Sequence, residues 1–267
     1  VAEAVAAFLS APTMAEHRQA RRLARAFGSE EPAWRPLVQP HHSITPLAMV
    51  GGGSPPRPGE ITRANGGVLV LDELLEFNPS IQESLREPLE SGVIRLARAS
   101  EARTYPARFA LVATTNLCPC GQYDPFAKQS RCHCSRSKRE RHLARLSRPF
   151  LDRAHILAFT GDWREGRGVL SSAIKESVDR AKEMRERRGQ LLPNARVAYE
   201  SLAQGLDAFA REQIVARPFG SARRSMAILR VARTLADLDG SKQIETGHWS
   251  QAMRWCACSF ERLAGSV

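Results

Sequence analysis

The run Val68-Leu69-Val70-Leu71 restricts the fold of this chain more than any other stretch. Four consecutive apolar, β-prone residues lack the alternation of a half-exposed strand and belong in a parallel sheet covered on both faces. The run ends in two carboxylates, Asp72 and Glu73. At the carboxyl end of a parallel strand, an aspartate can hold a magnesium ion while the adjacent glutamate polarises a water, the Walker B arrangement of phosphoryl-transfer ATPases. Four apolar residues before two acids also arise by chance, so an ordinary surface strand end is the competing reading. A second buried-strand pattern, FALVATT within Arg108–Thr115, ends at Asn116, whose amide can orient a water against a terminal phosphate. The pair is more specific than either part.

The elements around these strands follow from turn and cap residues. Thr13 and Glu16 form a capping box that opens a helix over 13–27, closed by Gly28. Seven prolines between Glu31 and Gly59 predict a loop region with room for a short hairpin. Asn78 as N-cap and Pro79 at the first helical position open a helix to about Leu89, with Pro88 and Gly92 closing it. Val93–Arg98 and Arg108–Thr115 are expected to form a hairpin through SEARTYPA. Residues 167–188, 194–213, 218–238 and 246–264 carry apolar positions at helical spacing. The expected organisation is an α/β core over 1–162, with a cysteine-rich insert at 118–134, followed by an all-helical domain over 163–267.

Charge narrows the partners. The net charge is +11, only five of the 39 Lys and Arg residues are lysines, and none of those precedes Lys128. Residues 128–153 concentrate nine cations against Glu140 and Asp152. Such a balance favours a polyanionic partner, nucleic acid or nucleotide, although an arginine-rich coding background produces the same count. With 43% apolar residues the chain is not a disordered tail. No run approaches the ~18 apolar residues of a membrane span, and no signal-peptide pattern opens the chain, so a cytoplasmic protein with no membrane partner is expected.

Six cysteines in such a chain point to metal ligands or free thiols before disulfides. Cys118-Pro-Cys120 and Cys132-His-Cys134 form two CxC pairs eleven residues apart. Four thiolates can close a tetrahedral zinc site. The spacing is tighter than the usual CxxC and His133 can replace a cysteine, so free thiols and a redox role stay open. Cys256 and Cys258, two apart on a helix, read as packing residues. His41 and His42 have no catalytic partner in the sequence and read as structural.

The blocks PHHS at 40–43, GGGSPPRPGEITRANGGVLVLDELLEFNPSIQESLREPLESGVIRLAR, TYPARFALVATTNLCPCG and LSRPFLDR, in this order, resemble the magnesium-chelatase-like AAA+ ATPases of the ComM (YifB) type. The resemblance covers roughly residues 38–240. It implies an α/β AAA+ P-loop NTPase core with a helical lid, binding ATP and magnesium in a self-assembled ring, expected to be a hexamer, that moves DNA, as in branch migration during natural transformation. Asp72 would hold magnesium, Glu73 would be the general base and Asn116 the sensor-one residue. Arg153 of FLDR would be the arginine finger, and Arg223 the sensor-two arginine of the lid. A planar, permanently charged guanidinium suits the charge that builds on transferring phosphoryl oxygens. The hairpin arginines Arg95, Arg98, Arg103 and Arg108 would face a central pore and contact DNA phosphates, against the plainer reading of an exposed polar hairpin face.

One departure from the family is plain. The GxxxxGK[ST] loop that cradles the phosphates needs a lysine upstream of Asp72, and none stands there. The expectation is therefore an ATPase core without its first strand and P-loop, either a downstream piece of a longer ATPase or a decayed paralogue, the Val1 start favouring the piece. Alone, it is expected not to bind or hydrolyse ATP appreciably. Two further readings compete: a magnesium chelatase motor acting in metal insertion into porphyrin, and an inactive remnant that binds nucleic acid through residues 128–153.

Overall fold

A computed structural model describes residues 2–29, 35–98, 101–124, 131–158, 171–208, 211–212 and 222–256. The chain divides into two compact units, one built from residues up to Leu151 and one from Asp152 onward. Among the described residues, no helix is long and apolar enough to cross a membrane.

In the first unit, α1 (Ala2–Phe8) and α2 (Met14–Ala26) come before the sheet. The capping box of α2 forms as its sequence requires: the Thr13 hydroxyl accepts the Glu16 N–H at 3.2 Å, and the Glu16 carboxylate accepts the Thr13 N–H at 2.8 Å. Two donors that the helix start leaves orphaned are thereby satisfied. Glu16 also pairs with Arg35 at 3.2 Å, and Arg35 donates to the Gly66 carbonyl at 2.6 Å, just ahead of the apolar run.

The chain then runs through β1 (Leu37–Val38), α3 (Pro46–Val50), the antiparallel pair β2 (Gly51–Gly52) and β3 (Arg57–Pro58), α4 (Glu60–Arg63) and β4 (Val68–Leu71). Next come α5 (Pro79–Ser84), α6 (Arg86–Ser91), β5 (Val93–Arg98), β6 (Glu101–Pro106), β7 (Ala110–Ala113), α7 (Arg136–Leu143) and α8 (Arg148–Leu151). β4 is the middle of a parallel sheet of order β1-β4-β7, and all four of its residues are buried. Its neighbours are in register from Leu37 opposite Val68 and from Val68 opposite Ala110. Gly67 makes this pairing possible: a Cβ there would stand 1.9 Å from the Pro36 carbonyl oxygen, to which Val68 donates at 2.8 Å. Leu69 and Leu71 join Met49, Ile61, Phe77, Ile81, Leu85, Ile94 and Phe150 in one core.

Three local expectations change in this unit, the first being that the loop region expected from Glu31 to Gly59 carries β1 of the parallel sheet and α3, as well as the short hairpin β2–β3. The hairpin pairs β5 with β6, the EARTYP segment itself, whereas FALVATT supplies β7 and lies parallel to β4. An apolar strand gains more by covering β4 than by extending a polar hairpin. Arg108 consequently lies outside the hairpin, in the link between β6 and β7. The helix expected from Asn78 to Leu89 is two helices, broken at Leu85. Pro88 has no N–H to give the Ser84 carbonyl, and its ring crowds that carbonyl, so the helical ladder cannot continue.

The second unit is helical among its described residues: α9 (Ser171–Arg187), α10 (Tyr199–Ala203), α11 (Ala222–Asp239) and α12 (Thr246–Cys256). α11 packs against both α9 and α12. Ile228, Leu229, Ala232, Leu235 and Ala236 of α11 form the core with Leu202, Leu206, Ile244, Trp249 and Cys256. Where one helix is expected over 194–213, the described residues show a 3-10 turn at Asn194–Arg196 and the short α10, then Leu206 bridging Ile244, with helix again at 208 and 211–212. Cys256 packs in the core, as its sequence position suggests, while Cys258 lies outside the described residues. Asp237 is fully buried, accepting from Arg233 Nε at 3.1 Å, Arg188 Nη2 at 2.8 Å and Asn194 Nδ2 at 2.8 Å.

Candidate functional site

The carboxyl ends of β4 and β7 meet at Asp72, Glu73 and Thr114. Thr114 continues the parallel ladder, donating its N–H to the Leu71 carbonyl at 3.0 Å and accepting the Leu74 N–H at 2.8 Å. Its hydroxyl sits between the two acids, donating to Asp72 Oδ1 and accepting the Glu73 N–H at 3.0 Å. Glu73 has φ 54° and ψ 52° and is the one non-glycine residue with positive φ among those described. A left-handed residue turns the chain sharply out of the strand, and for an L-residue it is strained. Both acids are exposed. Asp72 Oδ2 and the Glu73 carboxylate have no hydrogen-bond partner among the described residues. A hard divalent cation takes oxygen ligands of this kind, so the residues fit magnesium, and a carboxylate such as that of Glu73 is chemically able to accept a proton. The lysine of a phosphate-cradling loop has no counterpart upstream in this chain.

Asn116 lies exposed beyond β7. Its backbone carbonyl bonds His142 Nε2 of α7 at 3.1 Å, and its side chain lies against Gly121 in the cysteine loop. Sequence reading put Asp72 and Glu73 at the end of one strand and Asn116 at the end of its neighbour, but it missed Thr114 and His142. Thr114 is one of two adjacent threonines that follow the apolar strand, and only pairing across 41 residues reveals its role.

The four cysteines converge. The Sγ atoms of Cys118, Cys120, Cys132 and Cys134 all lie within 4.8 Å of one another, with three pairs at 3.3 to 3.6 Å. Zinc–thiolate bonds of about 2.3 Å in a tetrahedron set sulfurs about 3.8 Å apart, so the donor set and its spacing fit zinc. Backbone N–H groups of Tyr123 and Cys134 point at Cys118 and Cys132 at 3.3 and 3.4 Å. The Gln122 N–H, followed by the Cys118 thiol, lowers the Cys120 thiol to about 6, and desolvation raises Cys132 to about 11. A thiol whose pKa is lowered gives up its proton to a metal more readily. His133 is exposed and is not needed as a fourth donor.

The predicted DNA-contact arginines do not share one face. In the β5–β6 register Arg95 stands opposite Thr104, and Arg103 opposite Leu96, so Arg95 and Arg103 point to opposite sides of the ribbon. Arg95 pairs with Glu87. The side chain of Arg98 lies outside the described residues. Arg108 drapes over Gly92 while its backbone N–H donates to Asn65 at 2.9 Å.

The remaining candidates belong to the second unit. Arg153 is half-buried and Arg223 is exposed in the first turn of α11. The neighbouring Arg224 is the buried one, donating to the Ala154 carbonyl at 2.9 Å and the Cys256 carbonyl at 3.1 Å, with Asp152 at 3.9 Å. It fixes the segment that carries Arg153 to α11 and α12, a role that two adjacent arginines in a sequence do not disclose. His41 and His42 stack at 4.0 Å between ring centroids, and His42 meets Phe77 edge-on.

Comparison with known proteins matches residues 1–165 to the family model for magnesium chelatase, subunit ChlI, and residues 168–255 to that for the subunit ChlI C-terminal region. The competence protein ComM of Haemophilus influenzae is 39% identical over 238 residues, covering 84% of this chain and 45% of that protein. The Escherichia coli protein YifB is 39% identical over 235 residues, covering 84% of this chain and 46% of its own length. The chain thus spans less than half the length of these relatives.

Proposed function

This chain belongs to the magnesium chelatase subunit ChlI family, whose AAA+ domain it shares, and we propose that it supplies the cation-holding and water-activating edge, with a helical lid, of a ring-forming ATPase that works on DNA. The observation that carries this reading is the Asp72–Thr114–Glu73 junction at the ends of two adjacent parallel strands. Bound magnesium would neutralise phosphate charge there. The Thr114 hydroxyl fixes one oxygen of Asp72 and leaves the other for the cation. Glu73, held at a fixed angle by its strained backbone, takes the proton of the attacking water. The Asn116 amide orients that water, Arg153 meets a neighbouring subunit's nucleotide, and Arg223 of the lid meets its own. No lysine upstream of Asp72 supplies the grip on phosphate that this reaction needs. Zinc held by Cys118, Cys120, Cys132 and Cys134 would brace the loop beside Asn116.

DNA as the object of the motor is supported by the name of the Haemophilus relative, a competence protein, and by the net charge of +11. The family name favours a second reading, a chelatase motor acting in metal insertion.

The test replaces the matched region of the Haemophilus protein with this chain and measures nucleotide binding and turnover. Removing a general base costs about 100-fold or more. Glu73→Gln is expected to keep nucleotide binding and lose hydrolysis by that factor, and Asp72→Asn to lose the magnesium dependence of binding. Undiminished hydrolysis in Glu73→Gln refutes the assignment. Stimulation of turnover by DNA, and not by a porphyrin, separates the two readings.

A further inference from the structure

Cys134, the last thiol of the cluster, is followed directly by Ser135, the N-cap of α7, whose hydroxyl accepts the Lys138 N–H at 3.3 Å. The inner side of α7 is fully engaged. Arg139 donates to the Cys134 carbonyl at 2.9 Å and stacks 4.4 Å over the Tyr123 ring, and His142 is buried against the Asn116 carbonyl. The outer side is different. Arg136, Ser137, Lys138 and Arg141 are exposed, and of the three cations only Arg136 is balanced, by Glu140 at 2.8 Å. Among the described residues Lys138 and Arg141 have no carboxylate partner, and they stand three apart, one turn along the same face. The cysteine loop adds Arg131 and His133, both exposed.

We propose that the four-thiol metal centre and α7 form one nucleic-acid-binding element, in which the metal fixes the loop and the start of the helix while Lys138, Arg141 and Arg131 contact the phosphate backbone. Charge complementarity selects the occupant. Unpaired cations on a helix face held rigid from behind are what phosphate contacts need, and they position a nucleic acid without reading its sequence. A lipid surface requires apolar residues to insert beside the charges, and the outer face of α7 has none. The element requires neither ATP nor a ring. It shares with the proposed function only the nature of the partner, so it stands or falls separately from the catalytic roles.

The experiment uses the 267-residue chain purified with zinc and a fluorescently labelled oligonucleotide, single-stranded and duplex, with anisotropy followed between about 50 and 200 mM salt. Expected is binding that weakens with salt, and a Lys138→Glu/Arg141→Glu variant that binds about tenfold or more weaker, with a log–log salt slope shallower by about 2. The control Lys175→Glu/Lys182→Glu makes the same charge change on exposed positions of α9 and is expected to leave the affinity within about twofold. Stripping zinc, or Cys120→Ser/Cys132→Ser, is expected to weaken binding as much as the α7 variant does. An α7 variant indistinguishable from the α9 control, or a zinc-free chain that binds undiminished, overturns the proposal. So does preference for anionic phospholipid vesicles over the oligonucleotide. Because the α7 variant leaves the thiols and the buried face intact, its result does not depend on the zinc-free chain folding. If the chain fails here while the chimera's turnover is still stimulated by DNA, the element is refuted and the motor reading is not.

Discussion

Glu73→Gly isolates the one non-glycine residue with positive φ among those described, at the strand end proposed to be catalytic. Glu73 occupies the left-handed region at φ 54°, where an L-residue costs about 1–2 kcal/mol relative to the right-handed region. Glycine enters that region freely, but it returns about 0.4–1 kcal/mol by giving the unfolded chain more freedom. The side chain is exposed and makes no hydrogen bond among the described residues, and both backbone bonds, the Glu73 N–H to the Thr114 hydroxyl and the Glu76 N–H to the Glu73 carbonyl at 2.7 Å, are kept by glycine. The expected net effect of Glu73→Gly is a stabilisation of about 0.5–1 kcal/mol. Glu73→Ala keeps the strain and is expected to stay within about 0.5 kcal/mol of the parent. With a urea m-value of about 2 kcal/mol/M, the glycine variant shifts the midpoint of the first unit upward by about 0.3–0.5 M. Hydrogen exchange of β4 and α5 along a urea series reads this unit without interference from the helical one. A glycine variant no more stable than the alanine variant refutes the reasoning. Gained stability together with lost hydrolysis in the chimera marks the strain as a cost of aiming the carboxylate, the pattern expected of functional backbone outliers.

Two other outcomes follow from the same geometry. Thr114→Val keeps the shape but removes both side-chain bonds to the Asp72–Glu73 corner; at about 1 kcal/mol per exposed hydrogen bond, the first unit is expected to lose about 1–2 kcal/mol in the same exchange assay, and a loss below about 0.3 kcal/mol counts against the bridge. His155 is held below the ordinary imidazole value by burial first, then by Arg230 and Arg224. A depressed histidine is bound neutral in the fold and takes up a proton on unfolding. Its contribution is therefore present above pH 6.5 and lost as pH falls through and below that value. The urea midpoint of the second unit is expected to fall on that acid side, and His155→Gln to flatten the fall; an identical pH profile in the variant contradicts it.

What could be read in the sequence follows the range of the interactions. β4 was legible because a strand buried on both faces has no polar position to dilute its pattern, and the two acids that end it were legible with it. The α2 capping box was legible because its partners are three residues apart. The pairing of β7 was not. EARTYP and FALVATT both satisfy local strand criteria, and only the parallel register Val68 opposite Ala110 decides which of them joins the sheet. Pro88 was visible as a helix terminator, but its effect reaches backward to Ser84 and divides the helix one turn early. Thr114, His142 and Arg224 owe their roles wholly to partners 26 to 70 residues away, beyond any local pattern.

The arginine excess divides along the same line. Arg233 is 2% exposed and uses its fork fully: Nε meets Asp237, Nη1 the Lys242 carbonyl at 2.9 Å and Nη2 the Ser241 carbonyl at 2.6 Å. Arg224 ties two carbonyls of distant segments, and Arg35 spans Glu16 and the carbonyls of Ser10 and Gly66. A lysine presents one compact ammonium and cannot bridge acceptors in three directions at these separations, whereas a planar guanidinium can. Part of the preference for arginine over lysine is thus architectural, and a net charge of +11 overstates the cationic surface offered to a polyanion. Lysine carries no such structural load in the described core, which makes Lys138, exposed one turn before Arg141 on a helix otherwise anchored from behind, the more telling cation. Charge that the fold does not consume is the charge left to bind something else.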